Sequence, residues 1–237
     1  MHASLEAVVL VPALALLYAF LIRPRGVRAL AAAAGLALIL ASFVTELQQL
    51  ATHTFLWAHL LQNVVLAEWA PALLVLAIPR DRLARVHVPM LPALAAWLIT
   101  YFAWHLPWVY DYALAHQQSL LHVEHVTYLA AGIALWWPIV RGTQPPGVKA
   151  LYLFAAFVLA SPIGLVLALI PRPIYDFYAD APHTWGPGPL ADQQIAGVTM
   201  ALEQAAVFFA VFACYLSRFL QEEQRDPELF RSSRAAR

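Results

Sequence analysis

Nine histidines stand out in a chain that otherwise offers few groups able to do chemistry. Imidazole is the commonest protein metal ligand and suits copper, zinc, iron or nickel. His122 and His125 are three positions apart, so on a helix turning about 100° per residue they share a face. Gln62 and Asn63 follow His59 at i+3 and i+4 and share its face in the same way. His105 precedes a proline break at Pro107, and Asp192 leads a polar run with Gln193 and Gln194. A carboxylate such as Asp192 can ligate a metal or orient a ligating imidazole from behind. These residues form one candidate set. His59, His122 and His125 are the expected ligands, Asp192 a fourth ligand or anchor, and His105 sits at the edge. Gln62, Asn63, Glu124 and Gln193 are the expected supporting groups around them. Glu124 lies about 100° from His125 around the helix, so it is expected to face a neighbouring helix rather than the ligands. Cys214 is the only cysteine, which excludes an internal disulfide and any CxxC site. With methionine also scarce, a metal chemistry here rests on imidazole.

The elements that must position these groups are apolar. Of 237 residues, 62% are hydrophobic and only 12% charged, against about 25% charged in a soluble domain. A soluble enzyme, a disordered chain and a disulfide scaffold are excluded. Equal numbers of basic and acidic residues, 14 each, leave no electrostatic footprint for nucleic acid. A helix needs about 20 mostly apolar residues to cross roughly 30 Å of hydrocarbon. Seven segments approximate this: Leu5–Ile22, Ala29–Leu47, Phe55–Ile78, Leu91–Leu106, Leu120–Val140, Leu151–Ile170 and Ile195–Leu216. They are continuously apolar and rich in Ala and Leu, without the period-2 alternation of a barrel. The expected fold is therefore all-α, a polytopic bundle of seven transmembrane helices over residues 1–220, with a polar tail over 221–237.

Basic residues orient this bundle. Arg23, Arg25, Arg28, Arg80, Arg82, Arg85, Arg141, Lys149, Arg218, Arg225, Arg231, Arg234 and Arg237 fall on one side, and Arg172 alone on the other. The basic side is expected to be cytoplasmic, with the N-terminus outside and the C-terminus inside. The first span lacks a basic n-region and a small-residue cleavage site, so it does not read as a signal peptide. His59, His105, His122 and His125 then share one depth near the outer face, together with Asp192. His2, His53, His116 and His183 are expected as ordinary interfacial histidines, and His87 lies on the cytoplasmic side. Glu68 and Glu203 sit deeper, read as hydrogen-bonded contacts between helices. The Pro-, Gly- and aromatic-rich stretch from Pro171 to Ala191 is an outer loop. Trp136, Trp137 and Pro138 mark the inner interface.

Four stretches carry a resemblance. They are HLLQNVVLAEWAPALLVLAIP from His59, WHLPWVYDYAL from Trp104, LHVEHVTYLAAGIALWWPIV from Leu121 and PLADQQIAGVTM from Pro189. In this order the chain resembles the CtaG family of cytochrome c oxidase assembly factors, over most of its length after residue 50. Two departures stand out. The family pattern His-x-x-Gln-His keeps His59 and Gln62, but has Asn63 at its second histidine. After Met200 the family's Trp and Pro-Gly pair give way to Ala201, Leu202, Glu203 and Gln204. The resemblance implies an assembly protein rather than an enzyme, in the inner (plasma) membrane of a bacterial cell. It implies copper handled on the outer side, with haem–copper oxidase subunits and a periplasmic copper chaperone as partners.

Two other functions use the same residues. A zinc-dependent membrane hydrolase would need an open water position and a general base or serine nearby, for which Ser119 and Glu124 are the candidates. A haem-binding membrane cytochrome would need paired axial histidines. Against it, the candidate histidines all lie at one interface.

Overall fold

A computed structural model describes residues 4–116 and 120–225. Among them no strand occurs, and ten helices follow one another. These are α1 (Glu6–Ile22), α2 (Val27–Val44), α3 (Glu46–His53), α4 (Leu56–Ala77), α5 (Met90–Trp104), α6 (Pro107–Ala115), α7 (Leu120–Val140), α8 (Pro146–Leu169), α9 (Asp176–Ala179) and α10 (Pro189–Arg225). Five of them, α2, α4, α7, α8 and α10, are long and apolar enough to cross a membrane, while α1 and α5 are shorter apolar helices. The chain is a membrane protein by this measure and by its surface. Large apolar side chains such as Phe20, Leu30, Leu91, Ile99 and Leu169 point outward, whereas buried polar groups collect inside. That inversion fits lipid, where an exposed apolar face costs nothing and a polar one does.

The helix bounds differ from expectation where local chemistry intervenes. Thr45 leaves the helical region at φ −96° and ψ 176°, and its hydroxyl accepts from the Leu47 N–H at 3.3 Å. This N-cap ends α2 and starts α3, so the expected Ala29–Leu47 span divides there. His105 ends α5, and Pro107 starts α6 at a position where a missing N–H costs nothing. α10 runs on through Arg225, past the expected start of the polar tail at residue 221; residues 226–237 lie outside the described residues.

Proline and glycine set the closest helix contact. Pro71 has no N–H to give the Ala67 carbonyl, and the preceding turn, Val65–Trp69, widens to π-helical spacing. Gly132 of α7 packs against that place. A Cβ at Gly132 would lie 2.3 Å from the Ala67 oxygen and 2.6 Å from Pro71 Cγ. Only glycine permits the approach, a pattern common where helices pack in lipid. α8 and α10 meet in the same manner at Gly164 and Gly197.

At the arginine-rich end, two basic residues hold helix ends together. Arg141 Nη1 donates to the Ile78 and Pro79 carbonyls at 3.0 and 2.9 Å, and Nη2 to those of Arg80 and Arg82. Lys149 Nζ donates to the Ile139 and Gly142 carbonyls, both at 2.8 Å. Both cations thereby satisfy orphan carbonyls at the C-terminal ends of α4 and α7.

Candidate metal centre

At the opposite end of the bundle, α4 brings His59 and α7 brings His122 and His125 to the same level, and α1 adds a carboxylate that the sequence analysis did not single out. Glu6 Oε1 accepts from Nδ1 of both His122 and His125, each at 2.6 Å. Glu6 is buried although it opens an apolar helix. The signal for it was available: a lone carboxylate inside an apolar span is by default paired or functional.

Hydrogen bonds fix where the lone pairs point. The Tyr178 hydroxyl donates to the Ala51 carbonyl, so it accepts from His59 Nδ1–H, 2.9 Å away. His59 Nε2 is left as a bare acceptor. The Nδ1–H of His125 is committed to Glu6 in the same way, which leaves its Nε2 free. Asn63 Nδ2 donates to Glu124 Oε1 at 2.8 Å, which leaves Oε2. These three atoms, His59 Nε2, His125 Nε2 and Glu124 Oε2, are buried and without a hydrogen-bond partner. His59 Nε2 and Glu124 Oε2 are 3.5 Å apart.

One donor atom from each of His59, Glu124 and His125 lies within 4.8 Å of the others, and the same holds for Glu6, His122 and His125. Buried lone pairs without a partner are costly unless a proton or a cation satisfies them. Two imidazoles and a carboxylate, each held from behind by a second group, are the donor set of a transition-metal site. The residues therefore fit a metal ion. Glu124 stands among the donors rather than behind them, because its Oε2 comes within 3.5 Å of His59 Nε2 on α4.

The other expected residues take different places. Asp192 does not meet the histidines. Its Oδ2 and Oδ1 accept from the backbone N–H groups of Leu56 and Trp57 at 2.7 and 3.1 Å, capping α4 from a distant part of the chain. His105 is buried and does not join either donor group; the Tyr110 ring lies 5.0 Å from the ring of His59 and 6.2 Å from that of His105. Its Nδ1 bonds the Tyr101 carbonyl at 2.7 Å, and its own carbonyl accepts from Tyr175. Gln62 donates to the Ser42 carbonyl and to Gln48, tying α4 to α2 and α3. Gln193 stitches the 171–188 loop, accepting from the Ile174 N–H and donating to the Leu167 and Arg172 carbonyls. His2 and Ser119 lie outside the described residues.

Two further residues position the site. Asp111 on α6 accepts from the backbone N–H groups of Asp176 and Phe177. This seats the short helix α9, and α9 delivers Tyr178 to His59. Deeper in the bundle, Gln204 donates to Glu68 Oε1 and to the Tyr101 hydroxyl, and Trp69 donates to Glu203. Glu68 and Glu203 thus tie α4, α5 and α10 together, with the Tyr101 ring between this network and His105.

A family profile described as cytochrome c oxidase caa3 assembly factor (Caa3_CtaG) matches residues 16–222, most of the chain. No curated protein and no solved structure matches it. The site residues from His59 through Asp192 lie inside the matched segment, while Glu6 precedes it. With the motifs around His59, Trp104, Leu121 and Pro189 all within that match, the chain belongs to the CtaG family of cytochrome c oxidase caa3 assembly factors.

Proposed function

We propose that this protein handles copper during assembly of a haem–copper oxidase, retaining the ion on His59, His125 and Glu124. The observation that carries the reading is the pair of buried, unpartnered atoms His59 Nε2 and Glu124 Oε2, 3.5 Å apart, with His125 Nε2 also unpartnered and a His125 ring nitrogen within 4.8 Å of a donor atom of each. Imidazole suits copper in either oxidation state, and one carboxylate offsets part of its charge. A burial this complete suits an ion held out of water until it is passed to a partner.

In this reading the bundle crosses the membrane seven times, α1 and α5 being the short crossings, with the histidine end facing outward and the arginine-rich end facing the cytoplasm of a bacterial cell. The partition of basic residues supports this orientation. The partners are then oxidase subunits and a periplasmic copper chaperone.

Elemental analysis of the full-length protein in mild detergent, with and without added copper, tests the reading. One copper per chain is expected, lost in His125→Ala and retained in His87→Ala. Stoichiometric zinc in place of copper, or a haem absorption band, would replace the reading with one of its competitors. A deletion strain whose oxidase keeps its full copper content would remove the assembly role.

A further inference from the structure

The two groups of donors share one residue. His125 belongs to the buried group with His59 and Glu124 and also to the group with Glu6 and His122. They differ in access. The His122 side chain is 29% exposed, whereas those of His59, Glu124 and His125 are 1% exposed. Glu6 has a second, unpartnered and buried oxygen, Oε2. We propose that Glu6, His122 and His125 form an entry station for the same copper ion, which passes to the buried station through the shared ring of His125. This rests on the copper reading above and adds to it a second site and a direction.

The chemistry of one imidazole makes the stations mutually exclusive. In the entry station His125 binds through Nδ1, so its ring proton must reside on Nε2, and the buried station then lacks that lone pair. In the buried station His125 binds through Nε2, and Nδ1–H is donated to Glu6, as the structure shows. In the transfer, bonds to Glu6 Oε1, His122 Nδ1 and His125 Nδ1 break. Bonds to His59 Nε2, Glu124 Oε2 and His125 Nε2 form. The Nε2 proton of His125 returns to Nδ1, and that of His122 returns to its own Nδ1; both are again donated to Glu6. Ion charge, protons and electrons are conserved, so no redox partner is needed. Glu6 serves first as a ligand and then as the acceptor that fixes the tautomer the buried station requires.

The step inward follows from exposure. His122 stands in the first turn of α7 and is the one donor of the two groups with a partly exposed side chain, so an ion arriving at this end of the bundle meets it first. The buried station removes the ion from competing water and small chelators. Glu6 lies on α1 at a turn of π-helical spacing, a geometry frequent at functional sites.

The test uses full-length protein in detergent, free copper ions as the probe, and a soluble chelator added after loading. Wild type is expected to hold one copper per chain that resists the chelator. His59→Ala is expected to hold one copper that the chelator strips at once, since only the entry station remains. The double variant His59→Ala/His122→Ala is expected to lose this labile copper as well. His122→Ala alone is expected to keep the resistant copper but to load it about tenfold or more slowly, since the entry station loses one of its three donors and such a loss costs at least what an orienting group does. Wild-type loading rates in His122→Ala would overturn the entry station and leave the buried site standing, as would two coppers per chain in the parent. A parent that holds no copper overturns the site itself, a distinct failure. Circular dichroism and gel filtration of each variant confirm that the fold is kept. If His59→Ala does not fold, Glu124→Gln takes its place, with the same expectations.

Discussion

The carboxylate of Asp192, at the start of α10, lies across the first turn of the helix that carries His59, and accepts the Leu56 and Trp57 N–H groups. A residue expected as a fourth ligand or an anchor of the site supplies the capping acceptor of another helix, from 136 residues away. It anchors α4 to α10 and sets the height of His59. A charged cap that satisfies two orphan donors also complements the helix dipole.

Asp192→Ala therefore acts on stability. Two backbone donors lose their acceptor in a buried place, costing about 1–3 kcal/mol. Thermal unfolding in detergent is expected to show a lowered midpoint, while well-folded protein still takes up one copper per chain. Loss of copper without loss of stability would make Asp192 a ligand after all.

Tyr178→Phe removes the acceptor of His59 Nδ1–H. The ring can then take either tautomer or turn, and the bare Nε2 is no longer fixed. Copper affinity is expected to fall by about 10–100-fold, the usual cost of removing a group that orients a ligand. Competition titration against a chelator of known affinity measures it. An unchanged affinity would mean that packing against Tyr110 suffices to hold the imidazole.

Asn63 orients Glu124 by donating to Oε1. Asn63→Ala should weaken copper binding by a similar 10–100-fold, because the carboxylate becomes free to turn. Glu124→Gln should weaken it more, since it removes a donor and its charge. If the two variants bind alike, Glu124 is not itself a ligand.

Gly132→Ala tests how the fold serves the site. The added methyl meets the Ala67 carbonyl at 2.3 Å, so α4 and α7 must separate. Overpacking of this kind costs about 1–3 kcal/mol. Because His59 and His125 ride on these two helices, copper affinity is expected to fall together with the unfolding temperature. Serine at the same position should behave as alanine does, and a stable, fully loaded Gly132→Ala protein would show that the close approach is dispensable.

The composition by itself determined the class of this protein. Continuous runs of Leu, Ala and Val admit only helices in lipid, because a helix satisfies its own backbone hydrogen bonds. The expected span Leu120–Val140 and the helix coincide, and Phe55–Ile78 differs from α4 by a residue at each end. Periodicity also put His59 with Asn63, and His122 with His125, on common helix faces. Spacing along one helix is a local property and can be read from the chain.

What spacing could not give was the partner across the gap. Glu6 joins His122 and His125 from 116 and 119 residues away. Tyr178 reaches His59 only because Asp111 seats a helix of four residues. Asp192 was expected at the site, as ligand or anchor, because its depth matched that of the histidines, yet depth fixes one coordinate of three. The rotation of each helix about its axis fixes the rest. That rotation is set by contacts such as Gly132 against Ala67 and the cap on α4, which exist only once the helices are packed.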